Sequence, residues 1–322
     1  MKTIAVLTSG GDAPGMNAAI RAVVRTACAH DIKVFGVIRG YQGLINDDME
    51  ELNIRSVSDI IHRGGTMLFS ARSKEFATEE GMQKAIANCK KRGIEGVVVI
   101  GGDGSFRGAR DLSDRGIPCV GIPGTIDNDI ACCDYTIGYD TAMNTVMDMV
   151  DKIRDTTESH DRCSVVEVMG RSAGYLALNS GIAVGATSIL IPEIQCDIQH
   201  HVIERMKRTQ STGKVHFLIV VAEGVKETNV HDLTKVIQEQ TGVETRSLVL
   251  GHVQRGGSPT VRDRVVASQM GNYAVKLLMH NIGNRVVACQ KEGIVDIDIF
   301  EALNMSKTID KNLFDLAHEI SI

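Results

Sequence analysis

The sequence predicts an α/β protein of mainly parallel sheets covered by helices. Three observations carry that prediction. Apolar runs of strand length alternate with segments of helical period. The runs are apolar on both faces, as strands lying between helix layers must be. Nearly every run also ends in a cluster of glycine and polar residues, where open α/β sheets place their ligands. A chain of 322 residues is too long for one ordinary core, so two domains are expected.

The elements follow in order. TIAVLT (3–8) is the first strand, and NAAIRAVVRTACAH (17–30) is an amphipathic helix after it, with Asn17 expected as its cap. KVFGVI (33–38), EGVVVIG (95–101) and PCVGIP (118–123) are the next strands. YDTAMNTVMDMVDKIRDT (139–156) is a long helix. SVVEVM (164–169), SILIP (188–192), HFLIVVAEG (216–224) and RVVACQ (285–290) complete the strand set. No low-complexity linker and no repeat interrupts them.

Composition narrows the function classes. Hydrophobic residues are 43% and charged residues 23%, an ordinary globular balance. No stretch nears 18 unbroken apolar residues, so no membrane partner is expected. The N-terminal apolar run is short and leads into a Gly turn, so it reads as a core strand rather than a targeting segment. A net charge of -5 argues against nucleic acid, and anionic ligands must be held by local arginines. The eight cysteines form no C-x-x-C pair, and Cys132 and Cys133 are adjacent, which suits reduced thiols and a cytoplasmic protein.

The strand ends carry the chemistry. TSGGDAPGMN allows close backbone approach at Gly10 and Gly11, as phosphate-holding turns need, although a plain tight turn reads the same way. IGGDGS surrounds Asp103 with Gly101, Gly102 and Gly104 before a helix; glycines clear room for phosphates while one carboxylate could hold Mg²⁺. No G-x-x-x-x-G-K-[ST] is present, which excludes a P-loop. The dinucleotide fingerprint is absent, which argues against a dehydrogenase. PGTIDND (123–129) puts two carboxylates, Asp127 and Asp129, where a Gly-Thr turn would hold an anion. VMGRSAG places Arg171 at a glycine turn, and AEG, ETR and GHVQRGGSP add further acids and bases beside glycines, a set suited to an anionic, hydroxylated small molecule.

In this order and over nearly the whole chain, TSGGDAPGMNAAIR, RGGT…SAR, IGGDGS, PGTIDND, VEVMGR and GHVQRGGSP resemble the bacterial ATP-dependent 6-phosphofructokinases, the phosphofructokinase A family. The resemblance implies two Rossmann-like domains with the active site in the cleft between them. It puts 1–138 plus 251–301 on the ATP side and 139–250 plus 302–322 on the fructose 6-phosphate side. It implies that Gly11, Arg72, Ser73, Gly102, Asp103, Gly104 and Ser105 hold ATP, with Asp103 at the Mg²⁺. It implies substrate contacts from Thr125, Ile126, Asp127, Met169, Gly170, Arg171, Glu223, His252, Val253, Gln254 and Arg255, with Arg162 and Arg246 reaching across a subunit boundary of a homotetramer. Asp127 would be the general base, with Thr125, Arg72 and Arg171 completing the catalytic set. A carboxylate base contributes roughly 10²–10⁴-fold to attack by a hydroxyl.

Two further expectations rest on the same likeness. Pyrophosphate-using relatives carry Asp where this chain has Gly104 and Lys where it has Gly124; open space at both positions favours ATP, with a pyrophosphate enzyme as the alternative. A lipid or NAD kinase shares only GGDG, and a non-catalytic sensor would be expected to lack Asp103 or Asp127. Arg21, Arg25, Asp59, Arg154, Gly185 and Lys214 match the family's effector site for ADP or phosphoenolpyruvate. Thr187, Thr212 and Val215 depart from it, removing one acid and two bases, so a weak or altered effector response is expected. Tyr175 stands where the family usually has Asp, near the sugar site, and nothing in the sequence explains it.

Overall fold

The apolar runs become strands where helices can cover them. The computed structural model describes residues 1–321. Its order begins β1 (Thr3–Ser9), α1 (Met16–Cys28), β2 (Lys33–Val37), α2 (Gly40–Asn46), β3 (Met49–Leu52), α3 (Glu79–Lys91), β4 (Gly96–Gly101), α4 (Asp103–Ser113) and β5 (Cys119–Pro123). It continues with α5 (Tyr139–Glu158), β6 (Cys163–Val168), α6 (Tyr175–Ala183), β7 (Ser188–Leu190), α7 (Arg205–Gln210), β8 (Phe217–Ala222), α8 (Val230–Thr241) and β9 (Thr245–Val249). It closes with α9 (Val261–Met279), β10 (Arg285–Gln290), β11 (Gly293–Asp298), α10 (Ile299–Asn304) and α11 (Lys311–Glu319). A 3₁₀ turn covers Gly251–Arg255, and a π-helical turn covers Gln199–Glu204.

The chain divides into two units. One comprises Met1–Ile126, Ile130–Thr141 and Arg255–Lys307; the other comprises Asp127–Asp129, Ala142–Gln254 and the segment from Thr308 onward. The first holds a seven-stranded sheet in the order β11-β10-β5-β4-β1-β2-β3. Its inner pairings are parallel, and only the outer pairs β2–β3 and β10–β11 are antiparallel. The second holds a four-stranded parallel sheet in the order β7-β8-β6-β9.

Every residue of β4, β5 and β8 is buried, which is why these read as unbroken apolar runs. Each Val or Ile fully buried there contributes about 1.5–3 kcal/mol. In the first unit α1 packs on α9. A Cβ at Gly271 would lie 2.7 Å from Ala22 Cβ and 2.8 Å from the Ala19 carbonyl oxygen, so only glycine permits that crossing.

All eight expected strands are present. Three more are not apolar runs at all: MEEL (β3), TRSLV (β9) and GIVDID (β11). All three are edge strands, covered on fewer sides, so their polar residues are tolerated. The expected cap at Asn17 is corrected. Gly15, in the left-handed region at φ 102°, caps α1, and Asn17 lies inside the helix. Its buried amide donates to the Arg63 and Gly64 carbonyls and accepts from the Met67 N–H, tying down the 63–67 loop.

Candidate active site

In the first unit, β1 and β4 end side by side, with Ser9 paired to Gly101. Ser105 Oγ donates to the Ser9 carbonyl at 3.1 Å, and Ser70 Oγ donates to the Gly10 carbonyl at 2.5 Å. Gly102 caps α4, which Asp103 begins. A Cβ built at Gly102 or Gly104 meets nothing within 4 Å, so an anion could approach the free N–H groups at this helix start. The Asp103 carboxylate is half exposed and sits 3.0 Å from Arg107 Nε. Arg72 is exposed, while Ser73 Oγ donates to Gln42 Oε1 at 2.7 Å and accepts from the Phe76 N–H. Sequence reasoning missed Tyr41. Its buried ring stacks on Phe76 at 4.1 Å, and its hydroxyl donates to the Ser105 carbonyl at the start of α4. Nothing in GYQG announces that contact, which spans 64 residues.

Gly11 and Arg255 meet in this unit. Arg255 donates to the Asp12 carbonyl at 3.1 Å, and a Cβ at Gly11 would lie 2.8 Å from an Arg255 guanidinium nitrogen. The glycine expected to hold ATP therefore also makes room for an arginine expected to hold sugar phosphate.

The two donor-specificity glycines differ. Space is open at Gly104, as expected. It is not open at Gly124, where a Cβ would meet Ile100 Cγ2 at 3.1 Å and Met16 Cε at 3.2 Å. The expectation at 124 is corrected: the core fills that position, and a lysine there would need both neighbours to shift. Thr125 follows, nearly buried, with its N–H on the Ile137 carbonyl and its carbonyl oxygen accepting from Thr136 Oγ1.

The second unit builds its turns differently. Asp127 is fully buried, and its Oδ2 lies 3.2 Å from Arg171 Nε. Ile126 beside it is also fully buried, and Asn128 occupies the left-handed region at φ 52°. Gly170 (φ 142°) and Arg171 (φ 54°) form a turn that glycine alone would adopt freely. Glu223 Oε1 holds it, accepting from the Gly170 N–H at 3.2 Å and the Arg171 N–H at 2.7 Å. Gln254, fully buried, accepts from the Met169 N–H at 3.1 Å and donates to the Gly251 carbonyl. His252 and Val253 are exposed on that 3₁₀ turn. Arg162 and Arg246 come from adjacent strand ends and share Glu244, at 3.0 and 2.9 Å. Arg162 holds the Glu244 carboxyl below its ordinary range, with Arg246 adding to the effect.

The expected effector residues form two groups, one in each unit. Arg21, half-buried, has its guanidinium shifted down by burial and by Arg25, with Asp59 opposing. Arg154 donates to the Val184 carbonyl next to exposed Gly185, and burial and Arg154 shift Lys214 down. Thr187 is fully buried with its N–H on the Leu218 carbonyl, whereas Thr212 and Val215 are exposed. Tyr175 is half-buried at the start of α6, and burial, Glu193 and Asp129 push its phenol up to about 12. The eight cysteines are free thiols, and no helix is long and apolar enough to cross a membrane among the described residues.

The phosphofructokinase family model matches residues 3–278. The chain belongs to the phosphofructokinase family. Phosphofructokinase relatives match it end to end. The ATP-dependent 6-phosphofructokinase of Bacillus subtilis is 57% identical over all 322 residues, covering 100% of both chains. That of Bacillus licheniformis is 58% identical with the same coverage. Among solved structures, phosphofructokinase from Saccharomyces cerevisiae superposes with a TM-score of 0.90 at 35% identity, covering 100% of this chain and 48% of the yeast chain. The chain thus spans about half the length of the yeast one.

Proposed function

We propose that the protein transfers the γ-phosphoryl group of ATP to the 1-hydroxyl of fructose 6-phosphate, giving fructose 1,6-bisphosphate, as a cytoplasmic homotetramer of glycolysis. Full-length identity of 57% to an ATP-dependent 6-phosphofructokinase supports the reaction class. One observation carries the mechanism: Asp127 is fully buried, yet its carboxylate faces Arg171 on a strained turn. A buried carboxylate is expensive unless paired, and a left-handed arginine is held only where the surroundings impose it. Both features suit a base fixed in place before the substrate arrives.

The chain's own residues divide the work. The α4 start with Gly102, Gly104 and Ser105, together with Gly11, Arg72 and Ser73, receives the triphosphate. Met169, Gly170, Glu223, His252, Val253, Gln254 and Arg255 orient the sugar, and Arg162 and Arg246 take its 6-phosphate. Asp127 accepts the proton of the attacking hydroxyl, with Thr125 and Ile126 fixing its approach. Arg72 and Arg171 face the charge that spreads over the transferring oxygens.

The donor set fits Mg²⁺ brought by the nucleotide. Mg²⁺ is held by one or two carboxylates plus phosphate oxygens and water. Asp103 is a half-exposed carboxylate between two glycines, and no cage of three His, Cys, Asp or Glu side chains exists among the described residues. Asp103 would hold the ion, which supplies positive charge to the phosphate oxygens when bound.

Regulation follows the same reading. Arg21, Arg25, Asp59, Arg154, Gly185 and Lys214 receive ADP or phosphoenolpyruvate, weakly, because Thr187, Thr212 and Val215 add no charge. Arginine–phosphate contacts contribute roughly 1.5–3 kcal/mol each. The test is the rate against fructose 6-phosphate with ATP or pyrophosphate as donor, with and without phosphoenolpyruvate. Turnover with ATP and a slight phosphoenolpyruvate response are expected. Faster turnover with pyrophosphate overturns the donor assignment, and strong sigmoidal inhibition overturns the regulatory one.

A further inference from the structure

Asp263 lies in the first turn of α9, 1% exposed, in none of the motifs that mark the site. It is a buried charge, and its partners are specific. Its Oδ1 accepts from the Gly138 N–H at 2.9 Å. Its Oδ2 accepts from the Thr141 N–H at 2.9 Å and from Thr141 Oγ1 at 2.5 Å. Gly138 and Thr141 flank the start of α5. A carboxylate from one helix thus fills the place of a cap on another.

The arrangement is reciprocal. Thr260, the cap of α9, donates from Oγ1 to Asp140 Oδ2 at 2.6 Å, and its N–H donates to Thr141 Oγ1 at 3.1 Å. Tyr135 donates to the other Asp140 oxygen at 2.8 Å, and Arg262 lies 3.5 Å over the Tyr135 ring. Two helix starts therefore clamp each other, with Asp263 on the inner arm and Asp140 on the outer.

The inner arm reaches the site through the backbone. Residue 137 bridges Gly124 as a short parallel extension of β5. The Ile137 N–H donates to the Pro123 carbonyl, the Thr125 N–H donates to the Ile137 carbonyl, and Thr136 Oγ1 donates to the Thr125 carbonyl. Gly138, the next residue, is the one Asp263 grips. The first glycine-rich turn rests on the same spot: a Cβ at Gly15 would meet Ile137 Cγ2 at 2.6 Å and Asp263 Cβ at 3.5 Å. One at Gly138 would meet Ala13 Cβ at 2.7 Å.

We infer that Asp263 is a positioning residue: by fixing Gly138 it sets the register of the 136–138 segment, and thereby the path of Thr125 into Asp127, two residues on. The inference rests on Asp127 being the base, and it gives α9 a part in the reaction that its distance in sequence conceals. Misplacing a reacting group by about 1 Å costs roughly 10²-fold in rate. Loosening this support should therefore appear in kcat before it appears in binding.

Asp263→Asn is the informative variant, because it keeps the shape but turns one acceptor into a donor facing N–H groups. Its kcat should fall about 10- to 100-fold, with both KM values within about twofold. Amide exchange should quicken across residues 123–141 and stay unchanged in α3, which packs on α2 instead. Asp140→Asn, on the outer arm, is the comparator: it should lower Tm while keeping kcat. Wild-type kcat and exchange in Asp263→Asn overturn the inference. So does an Asp140→Asn variant that loses kcat in step with it, since both losses would then be general destabilisation. If the wild-type protein phosphorylates fructose 6-phosphate from neither donor, the proposed function falls, and amide exchange alone decides whether Asp263 holds the segment.

Discussion

The turns of the two units are built on opposite principles. The first unit's turn at α4 works by absence: Gly102 and Gly104 leave open space, and the helix start presents backbone N–H groups. The second unit's turn at Arg171 works by presence, with Glu223, Gln254 and buried Asp127 each gripping a backbone or a charge. An open glycine turn receives a flexible polyanion through its backbone. A side-chain-braced turn holds one group in one place. The contrast predicts that damage to the first shows in donor affinity, and damage to the second in turnover or sugar affinity.

Asp127→Ser should be the most severe test of that contrast. Turnover should fall roughly 10²–10⁴-fold while both KM values move little. A near-normal kcat would remove Asp127 from its role. Glu223→Ala comes next. It strips the acceptor from two N–H groups, each bond contributing about 0.5–1.5 kcal/mol. The KM for fructose 6-phosphate should rise about tenfold, in keeping with that range, with the KM for ATP unchanged. An equal rise in both would mean that the turn serves both substrates. Gly104→Asp should raise the KM for ATP several-fold by like-charge repulsion with the phosphates. Melting should not change, since the new Cβ meets nothing within 4 Å. A lowered Tm would show that the space is not free.

The smallest effect lies away from both turns. Burial, then Arg205 and His201, hold His318 down to about 4, against an ordinary value of 6.5, with Asp315 opposing. The unfolded chain therefore takes up a proton between about pH 6.5 and 4 that the folded chain refuses. Stability should fall as pH drops through that window, by about 2–4 °C in Tm per kcal/mol lost. His318→Gln should flatten the slope, and identical pH profiles for the two proteins would discard the idea.

The inner strands were legible because a strand covered on both faces has to be apolar throughout, and β4, β5 and β8 are. The edge strands were not, since MEEL and GIVDID carry charges that an exposed flank accepts. The glycine and arginine clusters marked the candidate site because open turns and charge pairs need distinctive residue types. The supports were hidden. Tyr41 acts across 64 residues and Asp263 across 125, and no local pattern encodes such distances. Asn17 had the right chemistry for a cap, but Gly15 caps the helix two residues earlier and frees that amide for the 63–67 loop. Gly124 looked like an open turn, and only packing reveals Ile100 and Met16 against it.

Arg171 sits in a left-handed conformation that disfavours any residue with a Cβ by roughly 1–2 kcal/mol relative to glycine. A laboratory selection for heat resistance would meet two opposed pulls there: glycine relieves the backbone, but it strips the partner from a fully buried carboxylate, which costs about 3–5 kcal/mol. The surviving protein would therefore keep its arginine, strain included. Position 171 is where breeding this protein for durability and, under the proposed mechanism, for activity would select the same residue.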